Sequence, residues 1–251
     1  MSTPSFPPPP PQSPYSPPMA GGPPPPPPGE PRLPWEERDR LGLLEALIQT
    51  VRLLVTDPSN AFSRLRPDGD LTSPILFGLI LSWAGMFLSQ MWQLMFGGLV
   101  GSMFEGVEGL GGAFAPPGAL GIIGTLVVWP ILFVVFLFIS AGILHLCLLL
   151  VGATADSPSG FEGTLKVVSY SQVAGVASIV PLVGGFLFAI WALILEVIGI
   201  SQVHRTTVGR ALMGVLIPVL VCCTCLIFFA VFFGAMIAAF IASMSGAGVS
   251  P

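Results

Sequence analysis

The sequence predicts an all-α fold: a polytopic membrane bundle of five transmembrane helices, with an N-terminal amphipathic helix and a disordered proline-rich tail. Three observations carry this expectation. Of 251 residues, 53% are hydrophobic and only 9% charged, against about 25% charged in a soluble domain, so there is too little polar surface to coat a globule of this size. Several apolar stretches approach or exceed the roughly 20 residues that cross a bilayer as a helix. Five crossings, with the N-terminus inside, place all nine lysines and arginines on one side.

Residues 1–34 hold 17 of the 27 prolines, with runs at 7–11 and 23–28. Proline fixes φ and donates no backbone hydrogen bond, so this tail is expected to be extended and solvated, partly as polyproline II. It reads as a tether or as a docking site for a proline-binding module. Its opening lacks the basic start and apolar core of a secretory signal.

Residues 35–66 read as cytosolic amphipathic or interfacial helices. In "PWEERDRLGLLEALIQTVRLLVTDP" (34–58), Leu41, Leu44, Leu47, Ile48, Val51, Leu54 and Val55 recur at helical spacing, while Glu45, Gln49 and Arg52 lie away from that face. Pro34 suits a first helical turn. The helix is expected to lie in the membrane surface, or to pack on another helix of the chain. Asp57 before Pro58 reads as the N-cap of a short helix reaching about Arg66.

The five-helix region spans 70–244, followed by a short tail, 245–251. Its expected crossings are 74–97, 119–152, 162–180, 184–203 and 209–244. The second is over-long, and Pro130 is expected to break or bend it; the fifth contains Pro218. Arg32, Arg38, Arg40, Arg52, Arg64 and Arg66 precede the first crossing. Lys166 lies near the junction of the second and third, and Arg205 and Arg210 between the fourth and fifth. Loop 98–118, turn 181–183 and the tail 245–251 carry no cation. The positive-inside rule then gives an N-terminus in the cytoplasm and a C-terminus outside.

"YSQVAGVASIVPLVGG", followed by Trp191, Gly199 and "VHRTTVGRA", resembles the Yip-one domain family, the Ypt-interacting proteins, and is most similar to its prokaryotic branch. The matching positions are Tyr170, Ser171, Gln172, Pro181, Gly184, Gly185, Trp191, Gly199, His204, Gly209, Arg210 and Ala211. "DLTSP" (70–74) is similar to the family's acidic entry motif, with Ser73 where glycine is usual. The likeness covers roughly 41–240. It departs at Ala174, where proline is common, and at Glu196, where an apolar residue is usual. The resemblance implies a five-pass helical fold with a cytosolic N-terminus. Eukaryotic relatives bind Rab-type GTPases in traffic between endoplasmic reticulum and Golgi, and the prokaryotic branch carries no role over to this chain. The resemblance to that branch favours a bacterial inner membrane over Golgi or endoplasmic reticulum.

Glu196 is a carboxylate inside an apolar run, where ionisable groups mark function by default. Gly185, Ala189, Ala192, Glu196 and Gly199 fall on one stripe of small residues, the pattern of close helix approach in lipid; Gly78, Ser82, Gly85 and Ser89 repeat it in the first crossing. At about 1.5 Å per residue, Ser82, His145, Tyr170, Gln172 and Glu196 reach one depth and form a candidate polar layer. Glu196 then clamps helices, belongs to a proton or solute path, or meets water near the interface.

"CCTC" (222–225) invites a metal reading, but Cys222, Cys223 and Cys225 cannot face one point on a helix. They and Cys147 read as buried apolar filler, with no disulfide framework. His204, Arg205 and Arg210 bind anionic head groups or a partner, or serve orientation alone. Trp35 and Trp129 suit interfacial anchoring. Gly184-Gly185 after Pro181 reads as a tight helical hairpin. There is no HExxH, no phosphate-cradling glycine loop with lysine, and no paired carboxylates outside the N-terminal charge cluster. The net charge of −4, without a basic patch among aromatics, excludes nucleic acid. The expectation is a protein that is not an enzyme and takes no cofactor or metal. It would be a scaffold or membrane-organising protein whose partners are the bilayer and, through the N-terminal region, cytosolic or membrane proteins. The alternative is a small transporter or channel using the Glu/His layer.

Overall fold

The computed structural model describes residues 32–66, 70–103 and 118–246. The proline-rich tail falls outside these residues up to position 31. Among the described residues every regular element is a helix. A short 3-10 turn (Pro34–Glu37) leads into α1 (Arg38–Leu41), α2 (Leu43–Thr56) and α3 (Pro58–Ser63). The long helices α4 (Thr72–Met103) and α5 (Ala119–Leu150) follow. Helix α6 (Gly160–Ser171) runs directly into a 3-10 helix (Gln172–Ile179), and α7 (Gly184–Val203) and α8 (Val208–Gly246) complete the order.

Among the described residues, four helices are long and apolar enough to cross a membrane: Thr72–Met103, Leu120–Leu150, Gly184–Val203 and Val208–Ile237. Two expectations need correction here. Helix α5 is not broken at Pro130, which removes the break from the expected break or bend, and α8 likewise continues through Pro218; each proline costs one backbone bond, which a membrane helix tolerates. The segment expected as one helix over 162–180 is instead an α-helix of 12 residues and a 3-10 helix of 8. The small residues Ala174, Gly175 and Ala177 lie in the tighter half and are buried, which lets backbones close in. A Cβ on Gly175 would come within 3.3 Å of the Leu81 carbonyl oxygen.

Helix α6 is the centre of the bundle. It packs against α4, α5 and α7, and every residue from 163 to 171 is buried. Helices whose outer faces meet lipid need apolar side chains there; α6 does not, which accommodates Thr164, Lys166, Ser169 and Ser171. The small stripe of α4 seats it: a Cβ on Gly78 would stand 2.8 Å from the Ser169 carbonyl oxygen. On α7 only part of the small stripe is used. Gly199 closes against Val167 and Phe62, whereas Gly185 has nothing within 4 Å. The tight contact at the N-terminal end of α7 is made by Gly184, where a Cβ would lie 2.8 Å from the Ala177 carbonyl oxygen. The connection 180–183 is a compact turn, with Val183 N–H donating to the Pro181 carbonyl at 2.8 Å.

The N-terminal helices wrap the bundle. Phe62 of α3 packs on α7 at Gly199, and the Asp57 side chain caps α3 by accepting from Asn60 N–H at 3.2 Å. Gly42, at φ 85°, splits the expected single amphipathic helix in two. The buried face of α2 is Ala46, Thr50 and Leu54, rotated from the predicted stripe. Leu43, Leu44, Ile48 and Val55 remain exposed. The helix thus has two apolar sides, one on the protein and one outward.

Candidate functional site

Where the N-terminal segment meets α4 and α6, Trp35 is the anchor. It is fully buried, so it does not sit at a lipid interface as expected. Its backbone N–H donates to Thr50 Oγ1 and its indole N–H to the Ser73 carbonyl, each at 2.7 Å. Its ring meets Phe77 edge-on at 5.8 Å, and Phe77 meets Tyr170 at 5.0 Å. The Arg38 guanidinium lies over the indole at 5.4 Å and donates to Ser73 Oγ at 2.6 Å. Arg40 pairs with Glu37 at the exposed edge.

Beside this anchor lies a polar cavity of about 300 Å³, lined by Arg32, Glu36, Arg38, Arg66, Asp70 and Lys166 among others. Lys166, nearly fully buried, donates to the Arg66 carbonyl at 2.9 Å. Burial pushes the Glu36 carboxyl up from its ordinary value, opposed by Lys166, Arg32 and Arg66. The Tyr170 hydroxyl lies within electrostatic reach of Glu36, although it makes no hydrogen bond of ordinary geometry. Asp70 accepts from the Thr72 and Ser73 N–H groups at 2.8 and 3.3 Å. Hydrogen bonding from Thr72, then Ser73, holds its carboxyl below its usual value.

The candidate polar layer is not one site. His145 does not pair with Glu196. Its Nδ1 lies 2.9 Å from Thr164 Oγ1, which lies 2.9 Å from His204 Nε2, and His204 Nδ1 lies 2.6 Å from Ser157 Oγ. This chain ties the C-terminal ends of α5 and α7 and the N-terminal end of α6 to the linker between α5 and α6. Thr164 has one hydroxyl proton and two nitrogen neighbours, so it donates to at most one ring, and the tautomers of the two histidines are coupled. His204 is fully buried; Arg205 and Arg210 are exposed.

Ser82 accepts from the Trp129 indole N–H at 3.0 Å, which gives Trp129 a partner inside the bundle. Ser82 and Gln172 line a mostly apolar cleft of about 550 Å³ between α4, α5, the 3-10 helix and α7. Tyr170 faces the N-terminal anchor instead. Glu196 lines a separate cavity of about 400 Å³ with Leu144, Val168, Val215 and Val219. Cys222, Cys223 and Cys225 are exposed, not buried filler, and Cys147 is buried; residues 220–237 of α8 are all exposed.

Sequence reading missed Thr164 and Ser157, and the Glu36–Lys166 cavity. Depth along a helix locates a residue but not its azimuth, and bonds spanning 40 or more positions leave no local spacing to detect.

A helical bundle with, among the described residues, four helices long and apolar enough to cross a membrane, an apolar exterior and a docked N-terminal segment defines an integral, multi-pass membrane protein. The Yip1 domain model matches residues 51–230, about 70% of the chain, and the protein belongs to the Yip1 domain family. That family is generally non-enzymatic. No curated protein and no solved structure matches the chain.

Proposed function

We propose that this protein is a membrane-organising scaffold of the cytoplasmic face, a Yip-type protein that binds a partner and catalyses nothing. The observation that carries the reading is the N-terminal segment. It is fixed to the bundle by Trp35 and Phe62, yet it turns Leu43, Leu44, Ile48 and Val55 outward. Fully burying one such side chain is worth about 1.5–3 kcal/mol, so the stripe suits contact with the bilayer surface or with a partner seated there.

The topology proposed with it has five crossings, a cytoplasmic N-terminus and an outer C-terminus. The fifth crossing is α6 with its 3-10 continuation. Twelve α-helical and eight 3-10 residues measure about 34 Å, enough for a hydrocarbon core of about 30 Å. With this crossing the cations lie on one side. The prokaryotic branch and a bacterial inner membrane complete the proposal, resting on the 170–211 motif.

Proximity labelling from the N-terminal arm tests the function. Specific neighbours are expected, and replacing Leu44 and Ile48 together by Glu should lower their recovery about tenfold, the equivalent of losing one buried leucine. Recovery of background alone removes the scaffold reading. A solute path is the competing reading, favoured by Glu196 lining a cavity. Flux through liposomes that Glu196→Gln abolishes would establish it instead.

A further inference from the structure

The cavity around Glu196 has a chemistry of its own. Its walls come from four helices: Ile143 and Leu144 of α5, Val168 of α6, Glu196 of α7, and Val215 and Val219 of α8. Except for Glu196 and the Ser140 hydroxyl, which donates back to the Leu137 carbonyl of its own helix at 3.0 Å, the lining side chains are apolar or weakly polar. Glu196 is half-buried, and among the described residues its carboxyl has no hydrogen-bond or ion-pair partner. The cavity therefore offers one unpartnered carboxyl and no cationic side chain.

Its size and opening are also defined. About 400 Å³ falls within the range of small-molecule pockets, about 300–1,000 Å³. On the rim, Ile143 is 49% and Val221 58% exposed, and Cys222 is exposed. These residues lie on membrane-crossing helices, so the mouth between α5 and α8 opens toward the acyl chains. An occupant enters from lipid, not from water.

We infer that this cavity binds a lipophilic amine. The apolar walls take its hydrocarbon part, and its N–H, charged as ammonium, donates to the Glu196 carboxylate. The pair shares one proton, so neither charge stands alone in hydrocarbon, and leaving the carboxylate unpaired there is the costly alternative. An apolar anion is refused, because no cationic side chain lines the cavity to pair with it and its charge would stand alone in hydrocarbon.

The test uses the full chain reconstituted in phosphatidylcholine vesicles. Dicyclohexylcarbodiimide reaches carboxyls from lipid, and its adduct on Glu196 is read by peptide mass. N,N-dimethyloctylamine carries one N–H when protonated and cannot form an amide with the activated acid. It is expected to slow Glu196 modification, and to do so at a concentration about tenfold lower than octyltrimethylammonium, which lacks the N–H, a gap equal to one charge-assisted hydrogen bond. Octanoate should give no protection. The same amine should slow maleimide modification of Cys222 and leave Cys225 unaffected. Glu196→Gln should remove the Cys222 protection. Val219→Trp, which fills the cavity and keeps the carboxylate, should remove it as well, so the result does not hinge on one variant folding. Modification unchanged by the amine, equal protection by octanoate, or protection surviving in both variants overturns the inference.

Discussion

Thr164 holds two imidazoles with one hydroxyl, which makes it the most exposed point of the inner polar chain to a single atomic change. Thr164→Val keeps the shape and removes both bonds, leaving His145 Nδ1 and His204 Nε2 without their partner. A buried polar group stripped of its partner costs about 1–3 kcal/mol, so this variant should unfold at lower temperature or denaturant in detergent, and Thr164→Ser should recover most of the loss. Unchanged stability in Thr164→Val would show that these contacts do not hold the bundle. Asp70 gives the pH counterpart. Its folded carboxyl titrates below its ordinary value of 3.8, so its contribution is complete above that value and disappears as pH falls through the lower folded one. Unfolding followed from about pH 5 to about pH 2 should show this loss in the parent and a shallower dependence in Asp70→Asn. At this scale the sequence located His145, His204 and Glu196 as unusual residues. It could not pair them, because a partner is fixed by helix rotation and long-range packing.

At the scale of elements, the N-terminal segment and α6 are the instructive cases. Segment 33–65 is held by the buried Trp35 indole, which donates to the Ser73 carbonyl, and by Phe62 against Gly199. Trp35→Ala should release it at a cost of about 3–5 kcal/mol, seen as faster tryptic cleavage at Arg38, Arg40 and Arg52 with the long helices still protected. Cleavage at the parental rate would move the anchor elsewhere. Helix α6 is fitted by contact distance: a side chain at Gly78 collides with the Ser169 backbone, which cannot step aside as a flexible side chain can. Gly78→Val should cost about 1–3 kcal/mol by overpacking, and equal stability would mean that α4 and α6 can separate freely. The amphipathic pattern of α2 was legible, but its orientation was not. A helix apolar over more than one face does not announce which side the protein takes, and here Thr50 turns inward to cap Trp35.

For the whole molecule, the proposed fifth crossing can be read from two added thiols. Asp156→Cys and Leu182→Cys sit at the two ends of the segment formed by α6 and the 3-10 helix. In sealed cells or oriented vesicles, a membrane-impermeant maleimide should reach the first only from the cytoplasmic side and the second only from the opposite side. Labelling of both from one side would leave four crossings.

Composition and apolar run length determined that the chain is helical and lives in a membrane, because a bilayer admits few other solutions for so uncharged a sequence. The motif over 170–211 determined the family. Tertiary structure alone decided that α6, less apolar than the helices of membrane-crossing length, lies at the centre, that His145 joins His204 through Thr164, and that Glu196 stands apart in its own cavity. Lipid-facing surface writes itself into hydropathy along the chain, whereas contacts between helices depend on rotation about their axes, which forty intervening residues do not encode locally.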